Sequence, residues 1–214
     1  MLERIKFFFQ IHFKRHMVLY SITLFVFLTG VTSGAFTINA IAPNQKGGLA
    51  DYINGSIASA SNNMNFGIDR KAILYEGLQH YCGFSLITWF FGLSYLGIPC
   101  IILAFGIKGF LIGFTTGFLV SLYGFRGFLF ALLCVIPQNI IYIPCITMVV
   151  IIALENAIEK YKRRKEAVSS QNMKREMTSY TLKILLFTCI MLVGILYEMF
   201  IAPFFLKLFS SVLS

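Results

Sequence analysis

The run Gly109-Phe110-Leu111-Ile112-Gly113-Phe114-Thr115-Thr116-Gly117-Phe118-Leu119-Val120 carries no charge and sets a glycine at every fourth position. Residues four apart share one helix face, so Gly109, Gly113 and Gly117 form a flat stripe. A stripe without side chains lets a second helix approach closely and gain dispersion contacts, which is how helices associate in lipid. The spacing predicts a membrane helix packed tightly on a partner. That partner is another helix of this chain or a second molecule, a homo-oligomer included. Residues 109–123 make a short span, since a crossing takes about 20 apolar residues.

The rest of the chain agrees with a membrane setting. Its 214 residues are 57% hydrophobic and 13% charged, and the mean hydropathy is +0.77. A soluble domain carries about 25% charged residues. This composition excludes a water-soluble monomer and a disordered chain. The net charge of +9 would suggest nucleic acid in a soluble protein. In a membrane protein it reports topology, and nucleic acid is not an expected partner. The cysteines (Cys82, Cys100, Cys134, Cys145, Cys189) form no C-x-x-C pair, and His12, His16 and His80 lie at no metal spacing. No metal or cofactor is expected.

Five apolar stretches lie at 17–42, 81–105, 109–123, 127–154 and 182–206. The first imitates a signal peptide, with Ala40-Ile41-Ala42 as a small-x-small site. Its apolar run exceeds the roughly 7–15 residues of a signal core, and Pro43 would follow the cut directly. It reads as an uncleaved anchor. Arg4, Lys6, Lys14 and Arg15 precede it, and Lys160, Lys162, Arg163, Arg164, Lys165, Lys174, Arg175 and Lys183 gather before the last span. Lys108 falls between the second and third stretches. The other side holds Lys46, Arg70, Lys71, Arg126 and Lys207. The positive-inside bias places the N-terminus in the cytoplasm and the C-terminus outside. The expected fold is an all-α integral membrane protein with about five transmembrane helices, the third short and the fourth kinked by proline, in one polytopic domain.

Two segments lie between spans. Residues 43–79 form an outer loop, in which Ile68 to Tyr81 has the apolar spacing of an amphipathic helix on the interface. Residues 155–180 form a basic cytoplasmic loop whose cluster Lys160 to Lys165 suits anionic lipid headgroups. Membrane lipids are thus expected partners.

Within the spans, three groups stand out. Pro137, Gln138 and Asn139, followed by Pro144, place amides and missing backbone donors inside the fourth stretch. They read as a kinked polar span, either lining a pathway or bonding to backbone freed by the kink. Glu198 sits deep in the fifth stretch, roughly 22 Å along the helix from Lys183. A lone charge at mid-helix costs about 2.5–3.5 kcal/mol on insertion scales, and Arg126 is the expected ion-pair partner at that depth. The glycine stripe is the third group. No nucleophile–base pair or phosphate loop appears, so no catalytic residue is expected and the chain does not read as an enzyme.

The ordered set Leu96-Gly97-Ile98-Pro99, Lys108-Gly109-Phe110, Ile112 through Val120, Gly127-Phe128, Ile136-Pro137-Gln138-Asn139, Ile143-Pro144, and Tyr197-Glu198 with Pro203 resembles the stage II sporulation protein M family. The resemblance covers essentially the whole chain. It implies a role in endospore engulfment, in the mother-cell membrane and the sporulation septum. It also implies a scaffold or anchor for two cell-wall hydrolases, stage II sporulation proteins D and P, in a peptidoglycan-degrading complex. The alternative it leaves open is a permease-type subunit of an ATPase-linked transporter. The glycine stripe and the outer loop are the faces expected to capture the hydrolases.

Overall fold

The computed structural model describes residues 17–41, 46–48, 51, 55, 70–132, 136–163 and 170–213. Five helices make up almost all of them: α1 (Met17–Ala40), α2 (Arg70–Phe91), α3 (Gly97–Phe130), α4 (Ile136–Arg163) and α5 (Ser170–Leu213). No strand occurs among the described residues. Four of the helices, α1, α3, α4 and α5, are long and apolar enough to cross a membrane. The fifth, α2, is about 33 Å long, but Arg70, Lys71, Glu76, Gln79 and His80 occupy its first half. Most of the expected outer loop lies outside the described residues. The part from Arg70 onward continues as one helix into the apolar stretch, with no interfacial helix set apart from it.

Contacts fix the direction of each helix. Phe27 faces Gly109, Val31 faces Gly113 and Ala35 faces Gly117, so α1 and α3 run parallel. Tyr81 stacks on Tyr142, and Asn156 reaches Gly92, so α2 and α4 run parallel. Gly77 meets Ile195 and Trp89 meets Thr181, so α5 opposes α2. A short turn folds α3 back along α2. The chain therefore reverses with every helix. Residues 17, 91, 97, 163 and 170 gather at one end, here the basic end, and residues 40, 70 and 136 at the far end. α4 touches all four other helices, and its six consecutive residues Val149 to Leu154 are buried. A helix apolar all round belongs at the centre of a bundle.

The break between α2 and α3 corrects the expected second and third spans. The apolar stretch 81–105 is not one helix: α2 ends at Phe91 and α3 starts at Gly97. Gly92, Ser94, Gly97 and Pro99 supply the turn, and Pro99 sits in the first turn of α3, where a missing N–H costs nothing. The last carbonyls of α2 find donors on other helices. Tyr180 Oη donates to the Trp89 carbonyl at 2.9 Å, Asn156 Nδ2 to that of Gly92 at 2.9 Å, and Lys160 Nζ to that of Leu93 at 3.1 Å. Orphan carbonyls need such partners where water is scarce, and a cation at a helix C-terminus also meets the helix dipole. These three donors come from the segment read as the loop 155–180. Within it α4 runs to Arg163 and α5 starts at Ser170, so the loop proper shrinks to a few residues.

The third helix is long, not short. α3 has 34 residues, and Lys108 lies inside it, about three turns from its start. The helix breaks at Gly124, whose φ of 58° and ψ of −132° suit glycine and no other residue. Beyond it the chain folds back, bringing Gly127 against the Leu119 carbonyl. The fourth helix consequently begins at Ile136 rather than at residue 127. Pro137 then falls in the first turn of α4, where it starts the helix instead of kinking it. Pro144 remains inside the helix.

Candidate functional site

The glycine stripe is covered by α1. On α1 the buried residues Thr23, Phe27, Gly30, Gly34 and Ile38 form a single stripe at helical spacing. A Cβ on Gly109 would come within 2.5 Å of the Phe27 carbonyl oxygen, one on Gly113 within 2.7 Å of the Val31 carbonyl carbon, and one on Gly117 within 3.0 Å of the Ala35 Cα. From the other side, a Cβ on Gly34 would lie 2.8 Å from the Phe114 backbone nitrogen. The seam is reciprocal, with Gly30 and Gly34 answering Gly106, Gly109, Gly113 and Gly117. Backbone approaches this close suit parallel small-xxx-small packing, with Cα–H···O contacts adding to dispersion. The partner left open by the sequence is a helix of the same chain. The stripe is consequently closed to the hydrolase docking expected of it.

A polar group lies beside this seam that the sequence reading missed. Lys108 of α3 is half-buried and places its ammonium 2.8 Å from His80 Nε2 of α2. The imidazole nitrogen accepts from the ammonium. The same ammonium sits 5.6 Å from the centre of the Tyr81 ring and 5.1 Å from that of Phe84, where aromatic faces attract a cation. His80 meets the Tyr81 ring edge-on at 5.1 Å. Among the described residues, no carboxylate lies within ion-pair distance of Lys108. A charge at mid-helix costs about 2.5–3.5 kcal/mol on insertion scales, and the ring faces and imidazole offset part of that cost.

These groups border a cavity of about 370 Å³ between four helices. Phe27, Phe105 and Ile146 close it toward the basic end. Lys108, His80 and Tyr81 form its middle, and Thr115 and Asn139 stand toward the far end. Apolar walls with a few polar groups are the usual build of a small-ligand site, and the volume falls in that range. Asn139 is the one member of the expected polar span that the cavity gathers. It reaches the cavity from the first turn of α4, not from the middle of a kinked helix. The side chains of Pro137 and Gln138 lie outside the described residues, and Pro144 is exposed. Arg126 is exposed in the segment that folds back after Gly124. The Glu198 side chain also lies outside the described residues, and with it the expected Arg126–Glu198 pair. No three His, Cys, Asp or Glu side chains among the described residues come within reach of one metal ion.

Lys108 and His80 escaped the sequence reading for a definite reason. A lysine between two apolar stretches reads as a loop, because lipid rejects charge. The usable signal was the spacing of Gly92, Ser94, Gly97 and Pro99, which puts the turn earlier and Lys108 inside a helix.

A family model described as Stage II sporulation protein M matches residues 23–203. The match opens inside α1 and closes inside α5, so it takes in the glycine seam, the capped turn and the Lys108 cavity. No curated protein and no solved structure matches the chain. With the family model covering most of the chain, the chain belongs to the stage II sporulation protein M family.

Proposed function

We propose that this sporulation-related membrane protein is a scaffold that recruits and organises peptidoglycan hydrolases at the sporulation septum during engulfment, from the mother-cell membrane. The single observation that carries the reading is the family match over residues 23–203. Its proposed partners are stage II sporulation proteins D and P. With the glycine stripe occupied by α1, the surfaces left for capture are the segment between α1 and α2 and the outward faces of α1 and α5. Phe25 and Phe36 on α1 and Leu182 and Val193 on α5 are exposed there. The test is the position of fluorescently tagged hydrolases in sporulating cells with and without this chain. The scaffold reading expects both hydrolases to disperse from the septum when the chain is absent. Unchanged septal positions would count against it.

The basic end is proposed to face the cytoplasm and all five helices to cross, with α2 carried through by its neighbours. The alternating directions and the positions of Lys160, Lys162, Arg163, Lys174 and Arg175 support this. Alkaline phosphatase fused after Ser214 is expected to be active, and the same enzyme fused after Lys165 inactive. The reverse pattern would overturn the orientation.

One observation favours a second reading, a permease-type subunit paired with an ATPase. The Lys108 cavity sets a few polar groups among apolar walls between four helices, as a substrate site between helices would.

A further inference from the structure

We propose that the Lys108–His80 cavity binds a phosphate group. The observations are a half-buried ammonium with no carboxylate in ion-pair distance among the described residues, and a cavity of about 370 Å³ open beside it. Donors on two helices border the same space: the ammonium of Lys108 and the hydroxyl of Thr115 on α3 and the imidazole of His80 on α2. A phosphate presents more acceptor oxygens than a carboxylate and can engage donors arriving from several sides. Lysine serves such a group as a point charge and needs no fixed planar geometry. An anion here would also give the ammonium a counter-charge in direct contact.

The phosphate has two sources. One is the headgroup of an anionic phospholipid, and the other is free phosphate. The walls around the polar groups, among them Phe105, Ile112 and Ile146, are apolar and suit acyl chain. The proposal stands apart from the scaffold reading, since it concerns a cavity between helices and not a protein partner.

Native mass spectrometry of the full chain in a neutral detergent tests it, with phosphatidylglycerol, inorganic phosphate and oleate as separate probes. Lys108→Met is expected to weaken phosphatidylglycerol binding roughly tenfold or more, the effect of losing one charge-assisted contact. Lys108→Arg, which keeps the charge, is expected to retain most of it. Lys162→Gln, at an exposed lysine of the basic end, is expected to leave binding unchanged. Thr115→Val removes one donor at nearly constant shape and gives a second test should Lys108→Met fold poorly; it is expected to weaken binding several-fold. Lys108-dependent binding of inorganic phosphate alone would identify the free ion as the source. Lys108-dependent binding of phosphatidylglycerol only would identify the lipid. The proposal is overturned if Lys108→Met and Thr115→Val bind both phosphate probes as wild type does. It is equally overturned if oleate binds with the same Lys108 dependence and neither phosphate probe does.

Discussion

Gly113→Leu is expected to separate α1 from α3 and to destabilise the bundle by at least about 3 kcal/mol, the upper range for overpacking a tight contact. The reason lies in what the new side chain would meet. At Gly113 the obstacle is the Val31 backbone, with its carbonyl carbon 2.7 Å and its Cα 2.8 Å from the first added atom. A side chain can turn aside, but a helix backbone moves only as a whole. α1 would have to retreat, and the neighbouring approaches at Gly109 and Gly117 would open together. In lipid no hydrophobic effect holds α1 on α3 once these close contacts open, because lipid tails are as apolar as the helix faces and packing alone keeps the pair together. Gly83 is the control. A Cβ there meets nothing within 4 Å, so Gly83→Ala is expected to be neutral or to stabilise by up to about 1 kcal/mol through helix propensity. Unfolding in mixed detergent and denaturing micelles measures both variants. Equal midpoints for Gly113→Leu and Gly83→Ala would refute the seam.

The second large effect is expected at Tyr142, which joins α4 to α2 and α5. Its side chain is 1% exposed, and its ring stacks on Tyr81 at 4.0 Å with 20° between planes. Gly194 of α5 faces the ring edge, where a Cβ would come within 2.9 Å of Tyr142 Cε1. Tyr142→Ala removes the contact between three helices at once. The expected cost is about 3–5 kcal/mol, as for other buried aromatic truncations, because a central helix cannot collapse into the void. Gly194→Leu alone is expected to clash with the ring and destabilise. Combined with Tyr142→Ala, the leucine enters the vacated space and recovers part of the loss. A double-mutant cycle in the same micelle titration reads the coupling. Strict additivity would show that Tyr142 and Gly194 do not share that space.

The sequence announced some of this and hid the rest, for physical reasons. The repeat at Gly109, Gly113 and Gly117 announced a close helix contact, since only packing explains three small residues on one face. It could not name the partner. The answering pair Gly30 and Gly34 stands in an apolar stretch already accounted for as an anchor. The turn after Phe91 was hidden because hydropathy averages over it. Leu93, Tyr95 and Leu96 are apolar, so the stretch 81–105 looked continuous even though Gly92, Gly97 and Pro99 interrupt the helix. That error moved Lys108 out of the bundle. It also made 109–123 appear short and placed Pro137 in mid-span. The Lys108 cavity was illegible for the same reason, since a charge inside lipid becomes tolerable only once His80, Tyr81 and Phe84 are seen around it. Asn139 was singled out as a polar group to explain, but its place in the first turn of α4 depends on where the chain folds back after Gly124.

On the scaffold reading, the bundle holds cell-wall hydrolases in the membrane rather than moving a substrate through it. Affinity capture of the tagged chain from detergent-solubilised membranes of sporulating cells, with bound proteins identified by mass spectrometry, tests this most directly. The scaffold reading expects recovery of stage II sporulation proteins D and P, and expects it to survive Lys108→Met. Recovery of an ATPase without either hydrolase would contradict it and turn the Lys108 cavity into the first place to look for a transported substrate.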